Sequence, residues 1–432
     1  MAKSFDVVIV GAGPAGSLAA LKLARAGLSV VMVERGGSPG SKNMFGGLLH
    51  NTPALNDLLP DFPARAPLER RVYKKTLAFM TPRSAVSLTF ENENFDSPPY
   101  NGYTVFRPAF DSWLANEAVR AGALLLCDCA AGDIIRENGR VAGVTVKGRE
   151  GELRGKVVIA ADGVLSFLAK KAGLRKDFSP SSMAVGVKLL LGMPEAAINE
   201  RFGLVRDQSA DISFLGAAGD MRGGGFLYTG LATVSVGLVL HLDSLTSSGK
   251  TPYDALNDFL EHPSLKKLLR GGAPLEYAAH LIPEGGYSAL PRLYTDGMML
   301  AGDAAGLCYT NGINLEGINL AMTSGVLAAE TAIEAIKSGD FTARALSRYE
   351  KKLRESFVLK DMKTFRNAAA MMRSERLYRA YPQLLADIME SVYRSDGTPR
   401  SRLLRLVRRR ALRDIGLIKL IADGYKIGRA LL

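Results

Sequence analysis

The chain is poor in the residues that build metal and disulfide sites. Only three cysteines, Cys127, Cys129 and Cys308, occur in 432 residues. So small and odd a number excludes a disulfide framework and a self-contained four-cysteine iron–sulfur cluster. Cys127 and Cys129 are expected on one face of a strand, as buried small hydrophobes. The four histidines, His50, His241, His262 and His280, make no ligand pair at helical spacing, and no metal site is expected. No apolar run reaches the ~18 residues of a membrane-spanning helix. The N-terminus enters an apolar run at Phe5, which leaves no room for a signal peptide, so a cytoplasmic protein is expected.

Positive charge is plentiful and unevenly placed. The net charge is +12, and residues 401–432 hold nine basic side chains (402, 405, 408, 409, 410, 413, 419, 426 and 429) against Asp414 and Asp423, or +7 of it. Such an end suits an anionic surface or partner. It lacks interleaved stacking aromatics and any nucleic-acid-binding motif, so nucleic acid is not the expected partner. With 47% hydrophobic residues, the chain can bury a large core in more than one domain.

The strongest positive signal is at the start. Phe5-Asp6-Val7-Val8-Ile9-Val10 reads as a strand that opens into Gly11-Ala12-Gly13-Pro14-Ala15-Gly16, followed by a helical pattern and the strand Ser29–Val33 ending on Glu34. Gly11 permits the tight turn, Gly13 lets a pyrophosphate approach the backbone, and Gly16 lets the helix pack on the strand. Glu34 stands where a carboxylate accepts from both adenosine-ribose hydroxyls. Strand, glycines, helix, strand and acid in this order predict a dinucleotide-binding unit.

Two further dipeptides end β-runs, where open α/β sheets hold their ligands. Asp162-Gly163 closes Val157–Ala161, and Gly302-Asp303 closes Met298–Ala301. Asp303 could hydrogen-bond a polyol such as the ribityl chain of FAD, and an N-cap would use the same residue. The cofactor domain is therefore expected in three pieces, 1–67, 106–182 and 291–340, with a hairpin turning at Asn138-Gly139. Alternation such as Thr233–Leu240 predicts a mainly antiparallel inserted domain over 68–105 and 183–290. Residues 341–432 read as helical. In the tail, Leu404, Val407, Ala411, Ile415 and Ile418 follow helical spacing, with Arg402, Arg405, Arg408, Arg409 and Arg413 largely elsewhere. That stripe suits an anionic leaflet, packing on its own domain, or an acidic partner protein.

In this order and spacing, the motifs resemble the flavoprotein superfamily of p-hydroxybenzoate hydroxylase and geranylgeranyl reductase. Three segments are similar to FixC-type relatives of electron-transfer-flavoprotein:quinone oxidoreductase. They are Gly40–Gly47, Gly224–Thr229, and Gly302–Leu307 continuing through Thr310–Asn314; Ala422–Lys426 is also FixC-like. The resemblance implies a Rossmann-like FAD-binding domain with an inserted antiparallel β domain and a helical C-terminus.

It also implies roles. Gly11, Gly13, Pro14, Ala15 and Gly16 would hold the FAD pyrophosphate, and Glu34 the adenosine ribose. Arg35 would lie near the adenine, Arg107 near the phosphate–ribityl part, and Asp303, beside Gly302, Asp162 and Gly163, near the ribityl hydroxyls. Gly312, Ile313 and Asn314 would bring N–H groups to the flavin edge that becomes negative on reduction. Asn43, Met44, Gly46 and Gly47 would line the isoalloxazine. From the residues alone, Arg35 also reads as a solvated charge, Gly46-Gly47 as a flexible turn, and His50 as a loop histidine. Cys308 lacks a partner at CxxC spacing, and no redox role is expected for it.

The resemblance implies an FAD subunit that takes electrons from an electron-transfer flavoprotein. A separate ferredoxin-like subunit would supply the cluster this chain lacks, and a membrane quinone would receive the electrons at the cytoplasmic face. The rival is a geranylgeranyl-reductase-like enzyme saturating isoprenoid lipids. Reductases of that group usually carry a Tyr-x-Trp-x-Phe-Pro type segment, whereas the matching stretch here is Gly225–Thr229 and the sole tryptophan is Trp113. A flavin monooxygenase and a flavin-bound scaffold are more distant alternatives.

Overall fold

The computed structural model describes residues 3–43, 46–147, 151–399 and 401–431. Val7, Val8, Ile9 and Val10 are all buried, as in a parallel strand covered on both faces. Their strand, Lys3–Val10, pairs in parallel with Val30–Val33 and Gly151–Ala160. Leu124–Leu126 and Met298–Leu300 extend the sheet on either side, also in parallel. The hairpin Ala130–Glu137 and Arg140–Lys147 pairs antiparallel with the first residues of Gly151–Ala160. Asn138 and Gly139 both have positive φ (49° and 82°), as a type I′ turn requires.

Pro14 stands in the first turn of the helix Pro14–Arg25, where its missing N–H costs nothing. Leu18, Leu21 and Leu23 of that helix are buried, at about 1.5–3 kcal/mol each. The long helix Ile318–Ser338 crosses it at Gly325, where a Cβ would stand 2.0 Å from the Ala15 carbonyl oxygen.

A second, mostly antiparallel sheet faces the carboxyl ends of the first. Its strands include Leu68–Met80, Met183–Gly192, Gln208–Leu215, Gly223–Thr229, Thr233–His241 and Ala273–Pro283. Alternation sorts its residues between two faces. Val234, Val236, Leu238 and Leu240 join Ile198, Phe202, Leu256 and Phe259 in a separate core. Their alternates Ser235, Gly237, Val239 and His241 point the other way. The strand Gly46–His50, expected within the first cofactor-domain piece, pairs with Gly102–Phe106 and so belongs to this sheet. Five residues with two glycines carry too little alternation to show that from sequence.

Cys127 and Cys129 do not share a strand: pairing ends at Leu126, and Asp128 between them has φ 51°. The tail is not one apolar stripe either. Gly416, at φ 87°, separates Leu403–Asp414 from Leu417–Leu431. Val407, Ala411 and Ile415 pack with Leu384 and Ile388, whereas Leu404 and Ile418 are each 84% exposed. Asp423 ties the last helix down by accepting from Arg376 (2.6 and 2.5 Å) and from the Tyr381 hydroxyl (2.9 Å).

Candidate active site

Between the carboxyl ends of the parallel strands and the polar face of the second sheet lies a cleft of about 950 Å³. Gly11, Gly13, Pro14, Ala15, Glu34, Arg35, Asn43, Gly46, Gly47, Arg107, Asp162, Gly163, Gly302, Asp303, Gly312, Ile313 and Asn314 all line it. Gly16 lies behind, where a Cβ would stand 1.9 Å from the Gly11 carbonyl oxygen. Met44 lies outside the described residues.

The geometry of the fingerprint fits FAD. A Cβ on Gly13 would meet no protein atom within 4 Å, so the space before the helix N-terminus is open to a phosphate. Glu34 is held at its strand end by the amides of Ala12 (3.1 Å) and Gly36 (2.8 Å), with lone pairs left for ribose hydroxyls. Asp303 sits in a short 3₁₀ turn, Gly302–Ala305, with its carboxyl in the cleft. Burial pushes its pKa up, against the pull of Arg107 and Arg175. Asp162 is likewise pushed up by burial, and it accepts from the Ser166 hydroxyl at 2.6 Å.

Arg107 opens the helix Arg107–Arg120 and grips the fully buried Asp111 through two hydrogen bonds of 2.9 and 2.8 Å. Asn43 donates to the same carboxylate at 3.2 Å. Asp111 is thus the anchor of two expected cofactor residues, and sequence reasoning passed over it. An Asp four residues after an Arg on a helix was the available signal.

The loop 310–314 departs from expectation in detail. The amides of Ile313 (3.0 Å) and Asn314 (2.8 Å) donate to Asn311 Oδ1, and that of Gly312 donates to Thr310 Oγ1 (3.0 Å). An Asx turn therefore occupies the donors expected at the flavin edge. Behind it, Gly317 and Ile318 at the N-terminus of a 21-residue helix also line the cleft. A helix start is positive and favours negative charge nearby.

The opposite wall was largely missed by sequence reasoning. Phe226 and Tyr228 stack at 5.6 Å on the strand Gly223–Thr229. Buried Lys188 donates to the Gly46 carbonyl (2.5 Å) and lies 3.3 Å from the Tyr228 hydroxyl. Burial, with Arg107 nearby, pushes the Lys188 pKa down to about 7. Lys75 pairs with Asp211 at 2.9 Å. His50 does not lie in a loop: it ends the strand Gly46–His50, and among the described residues its buried Nε2 has no hydrogen-bond partner. His241 and Glu284 also line the cleft. Burial raises the Cys308 pKa well above the ordinary thiol range, which keeps it protonated and inert.

A dinucleotide cradle facing a polar, aromatic-lined wall defines an FAD-dependent oxidoreductase, and residues 6–174 match the family model "FAD dependent oxidoreductase". Residues 185–282 match "ETF-QO, ubiquinone-binding", and residues 368–432 match "ETF-QO/FixC family C-terminal domain". The chain is 41% identical over 428 residues to the probable electron transfer flavoprotein-quinone oxidoreductase YdiS of Escherichia coli, covering 99% of each. It is 39% identical over 434 residues to the protein FixC of Azotobacter vinelandii, covering 100% of each. The chain belongs to the ETF-QO/FixC family. Its fold is shared with a geranylgeranyl bacteriochlorophyll reductase-like protein from Thermoplasma acidophilum (TM-score 0.72, 24% identity, 98% of this chain and 100% of that one). It is also shared with the myxobacterial chondrochloren halogenase (TM-score 0.66, 20% identity, 96% and 98%).

Proposed function

We propose that the protein is the FAD subunit of an electron-transferring complex. It accepts electrons from an electron-transfer flavoprotein, through or beside a separate ferredoxin-like subunit, and delivers them to a membrane quinone. One observation carries this reading. The segment matched as ubiquinone-binding, residues 185–282, supplies most of the wall that faces the FAD fingerprint across the cleft. In this reading, segments 1–67, 106–182 and 291–340 hold the cofactor. Segments 68–105 and 183–290, joined by the strand Gly46–His50, present the acceptor.

FAD, when bound, supplies the two-electron chemistry. The chain's own residues orient it: Gly13 leaves room for the pyrophosphate, Glu34 and Asp303 offer carboxylates to its hydroxyls, and Arg107, held in place by Asp111, offers its remaining guanidinium N–H groups. Asn43, Gly46 and Gly47 form the wall beside the ring. With three cysteines, the chain does not supply a four-cysteine cluster of its own, which is the reason for a separate ferredoxin-like subunit.

Among the described residues, no helix is long and apolar enough to cross a membrane. Attachment would be peripheral, at the cytoplasmic face, through residues 402–429. Leu403, Leu404, Leu417, Ile418 and Ile421 are exposed there, and so are Arg402, Arg405, Arg408 and Arg409. Apolar insertion together with cationic contacts, each worth about 1 kcal/mol near an anionic surface, suits a peripheral helix pair.

The test is reconstitution with anionic liposomes that carry ubiquinone. Quinol should form only when holoprotein, reduced electron-transfer flavoprotein and the ferredoxin-like protein are all present. Arg408→Glu/Arg409→Glu should slow quinol formation in liposomes severalfold and leave a soluble quinone unaffected. Quinol formation at full rate from NADPH alone would overturn the donor assignment. Equal rates for the charge-reversed variant in liposomes would overturn the attachment.

A further inference from the structure

Quinone-to-quinol conversion needs two protons as well as two electrons, and the cleft holds a buried acid beside a histidine. Glu284 follows the strand Ala273–Pro283 and lines the cleft, as does His241 at the end of Thr233–His241. Glu284 Oε2 and His241 Nδ1 stand 3.7 Å apart, and both side chains are mostly buried. Among the described residues, nothing donates a hydrogen bond to the Glu284 carboxyl, so it is available to a ligand. Outward from His241, Arg222 pairs with the partly exposed Asp243 at 2.8 Å, and the Asp243 charge reaches the imidazole. Among the described residues, Cys308 and Tyr378 also feel the Glu284 charge, and burial keeps both protonated. Arg373 also adds its charge at His241.

We propose that Glu284 is the proton donor to the bound quinone, and that His241 returns its proton from solvent past Asp243 and Arg222. This rests on the quinone reading above. The quinone gains two electrons and one proton from the reduced cofactor, and its second carbonyl oxygen gains a proton from the Glu284 carboxyl. The O–H bond of Glu284 breaks, leaving a carboxylate that is reprotonated through His241. No further oxidant or reductant is needed.

Protonation states agree with these roles. Burial pushes Glu284 up to about 7, so it holds a proton that an exposed glutamate would have lost. Burial pushes His241 down to about 4, which leaves a neutral imidazole able to accept one proton and pass on another. The acid form is the donor, so proton delivery falls as pH rises through about 7.

The test uses oxidised holoprotein and a short-tailed, water-soluble ubiquinone analogue. Binding of the analogue should shift a carboxylic-acid carbonyl stretch in the infrared difference spectrum, and Glu284→Gln should abolish that band. Reoxidation of dithionite-reduced holoprotein by the analogue should slow with rising pH in the wild type. In Glu284→Gln it should be roughly a hundredfold slower and pH-independent, the usual scale of a lost general acid. His241→Asn, which leaves the carboxyl in place, should keep the infrared band and slow only turnovers after the first. An unchanged band and pH profile in Glu284→Gln, with the quinone still bound, would overturn the inference and leave the quinone reading standing. No binding and no reoxidation in the wild type would overturn both.

Discussion

Gly13→Val is expected to give a folded protein that purifies without FAD. Gly13 has ordinary φ (−73°), and an added Cβ meets no protein atom within 4 Å, so the backbone of the apoprotein accepts a side chain there. The space it fills lies in front of the helix N-terminus, where the pyrophosphate must approach the backbone. Overpacking at about 1–3 kcal/mol, with lost hydrogen bonds to a charged group at about 1.5–3 kcal/mol, predicts a hundredfold or greater loss of affinity. Flavin absorbance per protein, read beside circular dichroism, separates cofactor loss from unfolding. Gly11→Ala is the contrasting control. At φ 98°, with a Cβ 2.2 Å from the Ala161 carbonyl oxygen, it should fail to fold at all. A yellow, fully loaded Gly13→Val protein would place the cofactor elsewhere.

Asp111→Ala should be the most damaging change away from the glycines. The carboxylate is fully buried and holds both Arg107 and Asn43, so its loss strands a guanidinium inside the protein. Breaking a buried pair in this way costs about 3–5 kcal/mol. Urea denaturation should show a fall of that order, with weakened FAD retention because two cleft residues lose their anchor. Adding Arg107→Met should restore part of the stability, since the unpaired charge is then gone, but not the cofactor affinity. A double variant no more stable than the single one would mean that packing, not charge pairing, sets the cost.

What the sequence made legible was the half of the site with strong local rules. Gly11 to Gly16, Glu34, Asp162 and Asp303 each end a strand or start a helix, and chain order alone brings them to one sheet edge. The opposite wall obeys a weaker rule. Lys188, Ser235, His241 and His280 occupy alternate positions of strands whose other face is apolar, so their direction was readable but their convergence was not. Glu284 meets His241 only through pairing of Met183–Gly192 with two strands far away in the chain. The loop 310–314 shows a different limit. Its glycine and amides were foreseen, but whether Asn311 or a ligand takes those donors depends on side-chain geometry. In the tail, one glycine with positive φ divided a helical stripe that periodicity alone would have continued.

Electrons leaving the reduced cofactor to a quinone, and not to a lipid double bond, are the property to measure most directly. Holoprotein reduced anaerobically with dithionite would be mixed by stopped flow with a soluble ubiquinone analogue and, separately, with a geranylgeranyl lipid. Flavin reoxidation should be rapid with the quinone, with quinol as product, and absent with the lipid. Reoxidation by the lipid, with saturated double bonds found by mass spectrometry, would contradict it and make the protein a prenyl reductase.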